Sequence, residues 1–465
     1  MILERLAEGS LAQSAYLIGC AATGEALVID PTIDTAPYIE AATAKDLRIT
    51  AVAETHIHAD FVSGGRALAA ATGATLHVSG EGGPDWQYAF AGEPRVRVLR
   101  DGEVIRVGNI RLEAVHTPGH TPEHMIYVVT DTRASQAPAG AFTGDFLFIG
   151  DVGRPDLLET AAGQVGTMEA SATRLFASLR RLSAFPDHLL IWPGHGSGSA
   201  CGKSLGGVPV SSLGYERLTN WALRERDERK FVASVLEDQP DPPLYFGEMK
   251  QVNKQGAAAW SATPALPAIP DVALAGGQKL VIDIRSDADR GTLPGAIAIP
   301  FGRNFSTWAG SVVPPSIPFA LVAPDQHTAA AARRALALIG RTAAEGWISP
   351  ASLAGYQAKG GALESVRTTE RPRAGQTLVD VRTSAEWRAG HLTGAVHAPL
   401  ARLPERVAKL DRSTPLLVYC QAATRSGVAA TALRRLGFAD VTTLEGGLSS
   451  YRTRFGEAAE VAETG

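Results

Sequence analysis

Two histidines and an aspartate stand in H-x-H-x-D spacing in Thr55-His56-Ile57-His58-Ala59-Asp60-Phe61. Side chains so spaced on one short loop can converge on a metal ion, offering imidazole nitrogens and a carboxylate oxygen. The run just before it, Ile49-Thr50-Ala51-Val52-Ala53, is apolar and β-branched, which predicts a buried strand delivering the loop into a cleft. Three later stretches repeat the arrangement. His116 and His120 lie in the VHTPGHTPEH run at 115–124, Asp145 ends Ala141-Phe142-Thr143-Gly144-Asp145, and His195 lies in Leu190-Ile191-Trp192-Pro193-Gly194-His195-Gly196. Core packing does not require His or Asp at four strand ends, so these loops are read as a metal-binding cleft. His116 and His124 flank the proline turn and are read as structural.

A second reactive stretch is Cys420-Gln421-Ala422-Ala423-Thr424-Arg425-Ser426. It follows the apolar run Leu416-Leu417-Val418-Tyr419 and opens a helix with Val428, Ala432, Leu433 and Leu436 on its apolar face. A loop so placed aims backbone N–H groups at the sulfur and adds the positive helix end, both favouring a thiolate. Cys20, at the end of a strand-like run, reads as a small buried hydrophobe. Cys201, in the glycine-rich stretch 198–203 after His195, has two readings: a thiol near the metal cleft able to exchange sulfur, or a buried and inert one.

The elements that must hold these loops can be followed along the chain. Strands are predicted at 15–19, 26–30, 75–78, 96–98, 110–112 and 125–129, and a helix at 65–71. A charged helical segment runs from Tyr215 to about Leu236, and Gln239-Pro240-Asp241-Pro242-Pro243 breaks it; the first domain is therefore placed at 1–240 and a linker at 241–262. Beyond the linker the chain repeats itself. Leu280-Val281-Ile282-Asp283-Ile284-Arg285 matches Leu378-Val379-Asp380-Val381-Arg382, and Phe319-Ala320-Leu321-Val322-Ala323 matches Leu416-Leu417-Val418-Tyr419-Cys420, with one offset of 97 residues at Asp283/Asp380 and at Ala323/Cys420. Two copies of one α/β domain, at 263–360 and 361–465, are the expectation. The first has Ala323 where the second has its cysteine and Thr328 where it has Arg425.

At 465 residues the chain is too long for one core and suits about three domains. A formal net charge of -4, with no long basic stripe, argues against a nucleic-acid partner. No run approaches a membrane span and the first residues lack a signal peptide's apolar stretch, so no membrane partner and a cytoplasmic location are expected. Three cysteines suit reduced thiols better than a disulfide framework. Eight of the eleven histidines precede residue 200, which places metal chemistry in the N-terminal part.

In order, H-x-H-x-D, P-G-H-T, T-G-D and a late P-G-H resemble the metallo-β-lactamase fold, in particular its glyoxalase II-like branch. One departure matters. Phe61 stands where the dinuclear zinc hydrolases have a histidine, and its side chain has no lone pair to offer. The resemblance then implies one metal per chain, held by His56, His120 and Asp145. That set suits non-haem Fe(II) with open positions and is similar to that of the persulfide dioxygenases. His58, Asp60 and His195 are implied to orient ligands, bind substrate or fix water, or else to be vestiges of a two-metal site. Arg154, in the stretch 150–156, either meets a substrate carboxylate or phosphate or closes a turn salt bridge.

The later motifs, D-V-R, G-H-L-x-G-A and Cys-x4-Arg, resemble the rhodanese sulfurtransferases. This implies that Cys420 attacks a sulfane sulfur and carries it as a persulfide, with Arg425 and the loop amides holding the anion. The 263–360 copy is then a degenerate, cysteine-less rhodanese-like domain that spaces the others or mediates assembly. Together the motifs resemble the CstB-type persulfide dioxygenase-sulfurtransferase fusions across nearly the whole chain. The expected fold is a multidomain α/β chain: an αββα metallo-β-lactamase sandwich followed by two rhodanese-like α/β domains. The implied function is oxidation of a low-molecular-weight persulfide by O2 to sulfite at one Fe(II) per chain, coupled to sulfane-sulfur transfer through Cys420 that makes or uses thiosulfate. The carrier thiol (glutathione, coenzyme A or another) and the direction of transfer stay open, and a homo-oligomer is implied. Two rivals remain. One is a zinc thioesterase of glyoxalase II type with appended rhodanese modules, against which Phe61 speaks. The other is a sulfur-relay protein without oxygenase activity, against which the intact His56, His120 and Asp145 speak.

Overall fold

A computed structural model describes residues 1–160, 166–199, 201–203, 205–270, 272, 279–288, 291–456 and 459–460. The chain divides into two compact units, Met1–Ser261 and Ala262–Gly465.

The first unit is built on two six-stranded sheets. One holds β1 (Ile2–Glu8), β2 (Gln13–Cys20), β3 (Glu25–Ile29), β4 (Arg48–Ala53), β5 (Thr75–Ser79) and β6 (Val96–Leu99) in chain order, antiparallel from β1 to β3 and parallel from β3 to β6. The other holds β7 (Val104–Val107), β8 (Ile110–His116), β9 (Met125–Asp131), β10 (Gly140–Gly144), β11 (Leu190–Pro193) and β12 (Ser211–Ser212), again in chain order. Both faces of each sheet are covered, so its strands read as nearly continuous apolar runs. Tyr16, Ile18, Leu27 and Ile29 meet Leu112, Tyr127, Phe142 and Trp192 between the sheets. Leu17, Val28 and Val52 face the other way, onto Tyr38, Leu68 and Ala69 of the helices Ala36–Thr43 and Gly65–Thr72. A register shift beside Ala26 and Leu27 lets Ile49 join the outer layer while Ala51 joins the inner one. Behind the second sheet, Ile126, Val128 and Ile191 pack on Leu175, Leu179, Phe231 and Val235. The layers are αββα, as the motifs imply.

Two expectations need correction. The segment from Tyr215 to Leu236 is three helices, Leu213–Thr219, Trp221–Arg224 and Glu228–Leu236, because Asn220 and Asp227 turn extended and cap the next helix, accepting from Ala222 N and Lys230 N. Nor is 241–262 a linker. It contains the helix Tyr245–Gln255, whose Tyr245, Phe246, Met249 and Asn253 are buried, and the first unit extends to Ser261.

The second unit carries the sequence repeat as a repeat of structure. β13 (Leu280–Asp283), β14 (Ile297–Ala298), β15 (Phe319–Val322) and β16 (Ala344–Ile348) form a parallel sheet in the order β14-β13-β15-β16. β17 (Arg367–Thr369), β18 (Thr377–Asp380), β20 (Val396–His397), β21 (Leu416–Tyr419) and β22 (Val441–Leu444) form another in the order β20-β18-β21-β22-β17, while β19 (His391–Leu392) pairs with Ala459–Glu460. The central four strands match position by position. Each copy also forks an arginine onto the aspartate two residues before it: Arg285 Nε and Nη2 lie 3.0 and 2.6 Å from Asp283, and Arg382 Nε and Nη2 lie 3.0 and 2.6 Å from Asp380. Among the described residues no helix is long and apolar enough to cross a membrane.

Because Phe246 is 1% exposed, removing its ring from the helix expected to be a linker should destabilise the first unit as a core truncation does. Phe246→Ala in the full chain should cost about 3–5 kcal/mol in a urea titration; a cost below about 1 kcal/mol would mean that the helix contributes little to that unit.

Candidate functional site

Four loops leave the same strand ends and meet. β4 leads into His56, β8 into His120, β10 into Asp145 and β11 into His195. Ligand atoms of His56, His120 and Asp145 lie within 4.8 Å of one another, and the three residues are 1–2% exposed. Hydrogen bonds fix the imidazoles. Thr55 Oγ1 donates to Asp30 Oδ2 (2.8 Å), so its contact with His56 Nδ1 (2.9 Å) takes the ring's proton. His120 Nδ1 faces the Arg154 carbonyl at 3.0 Å, which can only accept. Both rings therefore turn an Nε2 lone pair inward. His56 Nε2 and both Asp145 carboxylate oxygens are buried with no hydrogen-bond partner. Orphaned acceptors on His56 and on Asp145, with the inward Nε2 of His120 beside them, fit a divalent cation. Burial, reinforced by the neighbouring His58 and His120, holds His56 well below the usual imidazole range, so it is neutral and able to ligate. Gly144 is needed at the turn: its φ is +47°, and a Cβ there would lie 2.6 Å from Thr55 Oγ1 and 2.9 Å from His124 Nε2.

The remaining predicted residues fall around this group. His58 Nε2 turns to Asp30 Oδ1 (3.1 Å) and Glu54 Oε2 (3.3 Å), and Phe61 packs on its ring at 4.3 Å between centroids. Burial opposes its charge, yet the two carboxylates raise His58 well above the usual range. Asp60, His195 and Cys201 form a third buried group, with His195 Nε2 3.1 Å from Asp60 Oδ2 and 3.5 Å from Asp145 Oδ1. Cys201 is thus at the cleft, and burial with the nearby Asp60 pushes its thiol up to about 12. For Arg154 the structure favours the salt bridge: the side chain is 1% exposed and forks onto Asp156 at 2.9 and 2.7 Å, while its carbonyl orients His120. His124 is structural, accepting from Asp145 N at 3.1 Å.

At the other end of the chain, Cys420 is 1% exposed at the end of β21, 3.8 Å from Ser426 Oγ. Ala423 turns left-handed, φ +70°, and the helix Thr424–Arg435 begins behind it. Gly447 lets a following segment close on this loop, since a Cβ there would lie 2.6 Å from the Cys420 carbonyl, and Leu448 N donates to that carbonyl at 2.8 Å. Arg425 is paired within the loop's surroundings. Both its terminal nitrogens donate to Glu386 at 2.7 Å, and Glu386 also accepts from Thr383 as a helix capping box. Burial opposes ionisation of Glu386, but the Arg425 and Thr383 bonds bring its carboxyl down to about 2. Arg425 thus braces the loop through Glu386.

Sequence reasoning missed Asp30, Glu54, Glu123 and Asn253. Glu123 Oε1 accepts from Ile57 N at 2.8 Å. Asn253, 3% exposed, donates to the carbonyls of His58 (2.8 Å) and Phe61 (2.7 Å) and accepts from Ser63 N (2.8 Å), tying the ligand loop to the Tyr245–Gln255 helix. The buried spacing Tyr245, Met249, Asn253 is the signal that could have found it. Asn253→Ala should lower metal affinity by roughly 10–100-fold, as loss of an outer support does. Competition with a chromophoric chelator measures it; unchanged affinity would show that the loop holds itself.

Residues 9–195 match the model of the metallo-beta-lactamase superfamily, and residues 366–454 match the rhodanese-like domain. A solved metallo-beta-lactamase from Staphylococcus aureus subsp. aureus COL is 39% identical, covers 75% of this chain and 99% of its own, and superposes with a TM-score of 0.68. The hydroxyacylglutathione hydrolase of Polaromonas sp. (strain JS666 / ATCC BAA-500) is 36% identical over 42% of this chain and 66% of its own length, so the chain spans just under two thirds of that relative. ETHE1 from Myxococcus xanthus is 28% identical, with 55% of this chain and 98% of its own covered and a TM-score of 0.44. The chain belongs to the metallo-beta-lactamase superfamily and carries a rhodanese-like domain toward its C-terminal end.

Proposed function

We propose that the chain is a cytoplasmic persulfide dioxygenase with one Fe(II) at His56, His120 and Asp145, coupled to a sulfurtransferase at Cys420. The observation that carries this reading is the buried two-histidine, one-carboxylate group with unpartnered lone pairs, beside a Phe61 that offers none. Iron(II), when bound, supplies open coordination positions and redox chemistry that zinc lacks. The protein's part is positional. Thr55 and the Arg154 carbonyl hold the two Nδ1 protons outward, and Phe61 and Ile57, 0% and 1% exposed, keep the loop apolar.

At the second site the Cys420 thiolate attacks the outer sulfur of thiosulfate. A new sulfur–sulfur bond forms on Cys420, the old one breaks, and sulfite leaves with the electron pair. In reverse, sulfite takes the sulfur from the Cys420 persulfide and thiosulfate forms. Residues 263–360, with Ala323 in place of the cysteine, act as a degenerate rhodanese-like domain, and the whole follows the CstB-type fusion plan as a homo-oligomer. The persulfide carrier is a small thiol such as glutathione or coenzyme A.

A second reading, a zinc thioesterase, is favoured by the likeness to hydroxyacylglutathione hydrolases. O2 consumption by the anaerobically iron-loaded chain given glutathione persulfide separates the two. Uptake in both wild type and Cys420→Ser, with thiosulfate replaced by sulfite in the variant alone, is expected. No uptake with iron, together with thioester hydrolysis with zinc, would establish the hydrolase instead.

A further inference from the structure

We infer that the cysteine-less copy forms one wall of the acceptor site beside Cys420, and that this site takes a small thiol whose sulfur ends an uncharged arm. The inference rests on the sulfurtransferase reading of Cys420 and adds to it the class of thiol that receives the sulfur. The two copies lie in one compact unit and meet along the helix that follows the Cys420 loop. Thr431 Oγ1 of that helix accepts from Ala298 N at 3.0 Å, and Arg435 Nη1 donates to the Gly295 carbonyl at 3.2 Å. On two sides the loop is closed by its own copy. Leu448 N and Ser449 N donate to the carbonyls of Cys420 (2.8 Å) and Gln421 (3.1 Å), and Glu386 takes both terminal nitrogens of Arg425 at 2.7 Å. On a third side lies a cavity of about 190 Å³, across which Ala422, Ala423 and Thr424 of the loop face Ser286, Ala298 and Pro300 of the first copy. Those three residues stand at or just past the ends of β13 and β14, so strand ends without a nucleophile of their own are turned onto a loop that has one.

Size and lining define the occupant. At roughly 30 Å³ per water the cavity has room for about six, so the transferred sulfur alone would leave most of it unfilled. None of its described lining residues is charged. A carboxylate placed there would lose water and gain no counter-ion, whereas an amide can meet the hydroxyls of Ser286 and Thr424 and an alkyl chain can meet the alanines and Pro300. Ser286, Ala422 and Thr424 are exposed, so the cavity is reached from solvent. Glutathione, with two carboxylates, fits this lining less well than a thiol such as N-acetylcysteamine. The acceptor thiolate attacks the outer sulfur of the Cys420 persulfide. A sulfur–sulfur bond forms on the acceptor, the bond to Cys420 Sγ breaks, and Cys420 leaves as thiolate with the electron pair.

Sulfur transfer from thiosulfate by the full chain tests it, with cyanide, N-acetylcysteamine and glutathione as acceptors and the two thiols compared at equal thiolate concentration. The wild type should use N-acetylcysteamine with a kcat/KM at least about tenfold above that for glutathione. In Ser286→Trp the indole fills the cavity from the first copy. The ratio of kcat/KM for N-acetylcysteamine to that for cyanide, which is too small to need the arm's place, should then fall at least about tenfold. Glutathione used as well as or better than N-acetylcysteamine, or an unchanged ratio in Ser286→Trp, would overturn the inference. The wild-type comparison gives its answer even if the variant fails to fold. Thiocyanate formed by the wild type and not by Cys420→Ser leaves the sulfurtransferase reading standing in either case; no thiocyanate from the wild type would sink that reading and the inference with it.

Discussion

Buried anions without donors are the constraint on which the first unit depends. Asp145 and Asp60 are 1% and 4% exposed; both oxygens of Asp145 have no hydrogen-bond partner, and Asp60 Oδ2 faces His195 Nε2 at 3.1 Å. Leaving a carboxylate so placed costs several kcal/mol unless positive charge meets it. The histidines divide that work. Burial drives His56, His120 and His124 below the usual imidazole range, so they stay neutral with lone pairs to give. Against the same burial, Asp145, Cys201 and Asp60 hold His195 well above it, and Asp30 and Glu54 do so for His58. Neutral rings gather where a cation is wanted, and charged ones balance the carboxylates around it.

Such a balance works only if the loops cannot relax, and the packing prevents that. The ligand loop is held from three sides by Asp30 at Thr55, Glu123 at Ile57, and Asn253 at His58, Phe61 and Ser63. The Cys420 loop has a different task, to close around a cysteine that is 1% exposed at a strand end. It answers with a left-handed turn and a helix end, and Arg425 is given to Glu386 to keep that shape. One site gathers acceptor atoms from four loops; the other is a single loop closed by a left-handed turn and an ion pair.

What could be read from the sequence follows the range of the interactions. The four ligand loops and the Cys420 loop were legible because each is a short motif after an apolar run. The Tyr245–Gln255 helix was not, because the prolines before it at 240, 242 and 243 outweigh the buried spacing of Tyr245, Met249 and Asn253. The breaks at Asn220 and Asp227 were hidden inside a charged run, although both are good helix caps. Glu386 lies 39 residues before Arg425, and Asn253 lies 192 after Phe61; no local rule pairs them. Arg154 is the contrary case, since its partner Asp156 stands two residues away.

The repeat separates what a motif does for fold from what it does for chemistry. Asp283 and Asp380 are both 0% exposed, and each is forked by the arginine two residues on, at matching distances, under sheets of the same strand order. That buried pair survives in the copy that has no cysteine, so D-x-R marks a way of closing a strand end and carries no reactivity of its own. The Cys420 loop has no counterpart in the first copy. Where Arg425 reaches Glu386, Thr328 turns back onto Asp325 at 2.8 and 3.1 Å, and Ala323 fills the place of Cys420. The two copies thus share their sheet and its strand-end ion pair and differ in the loop that follows the third strand of each sheet.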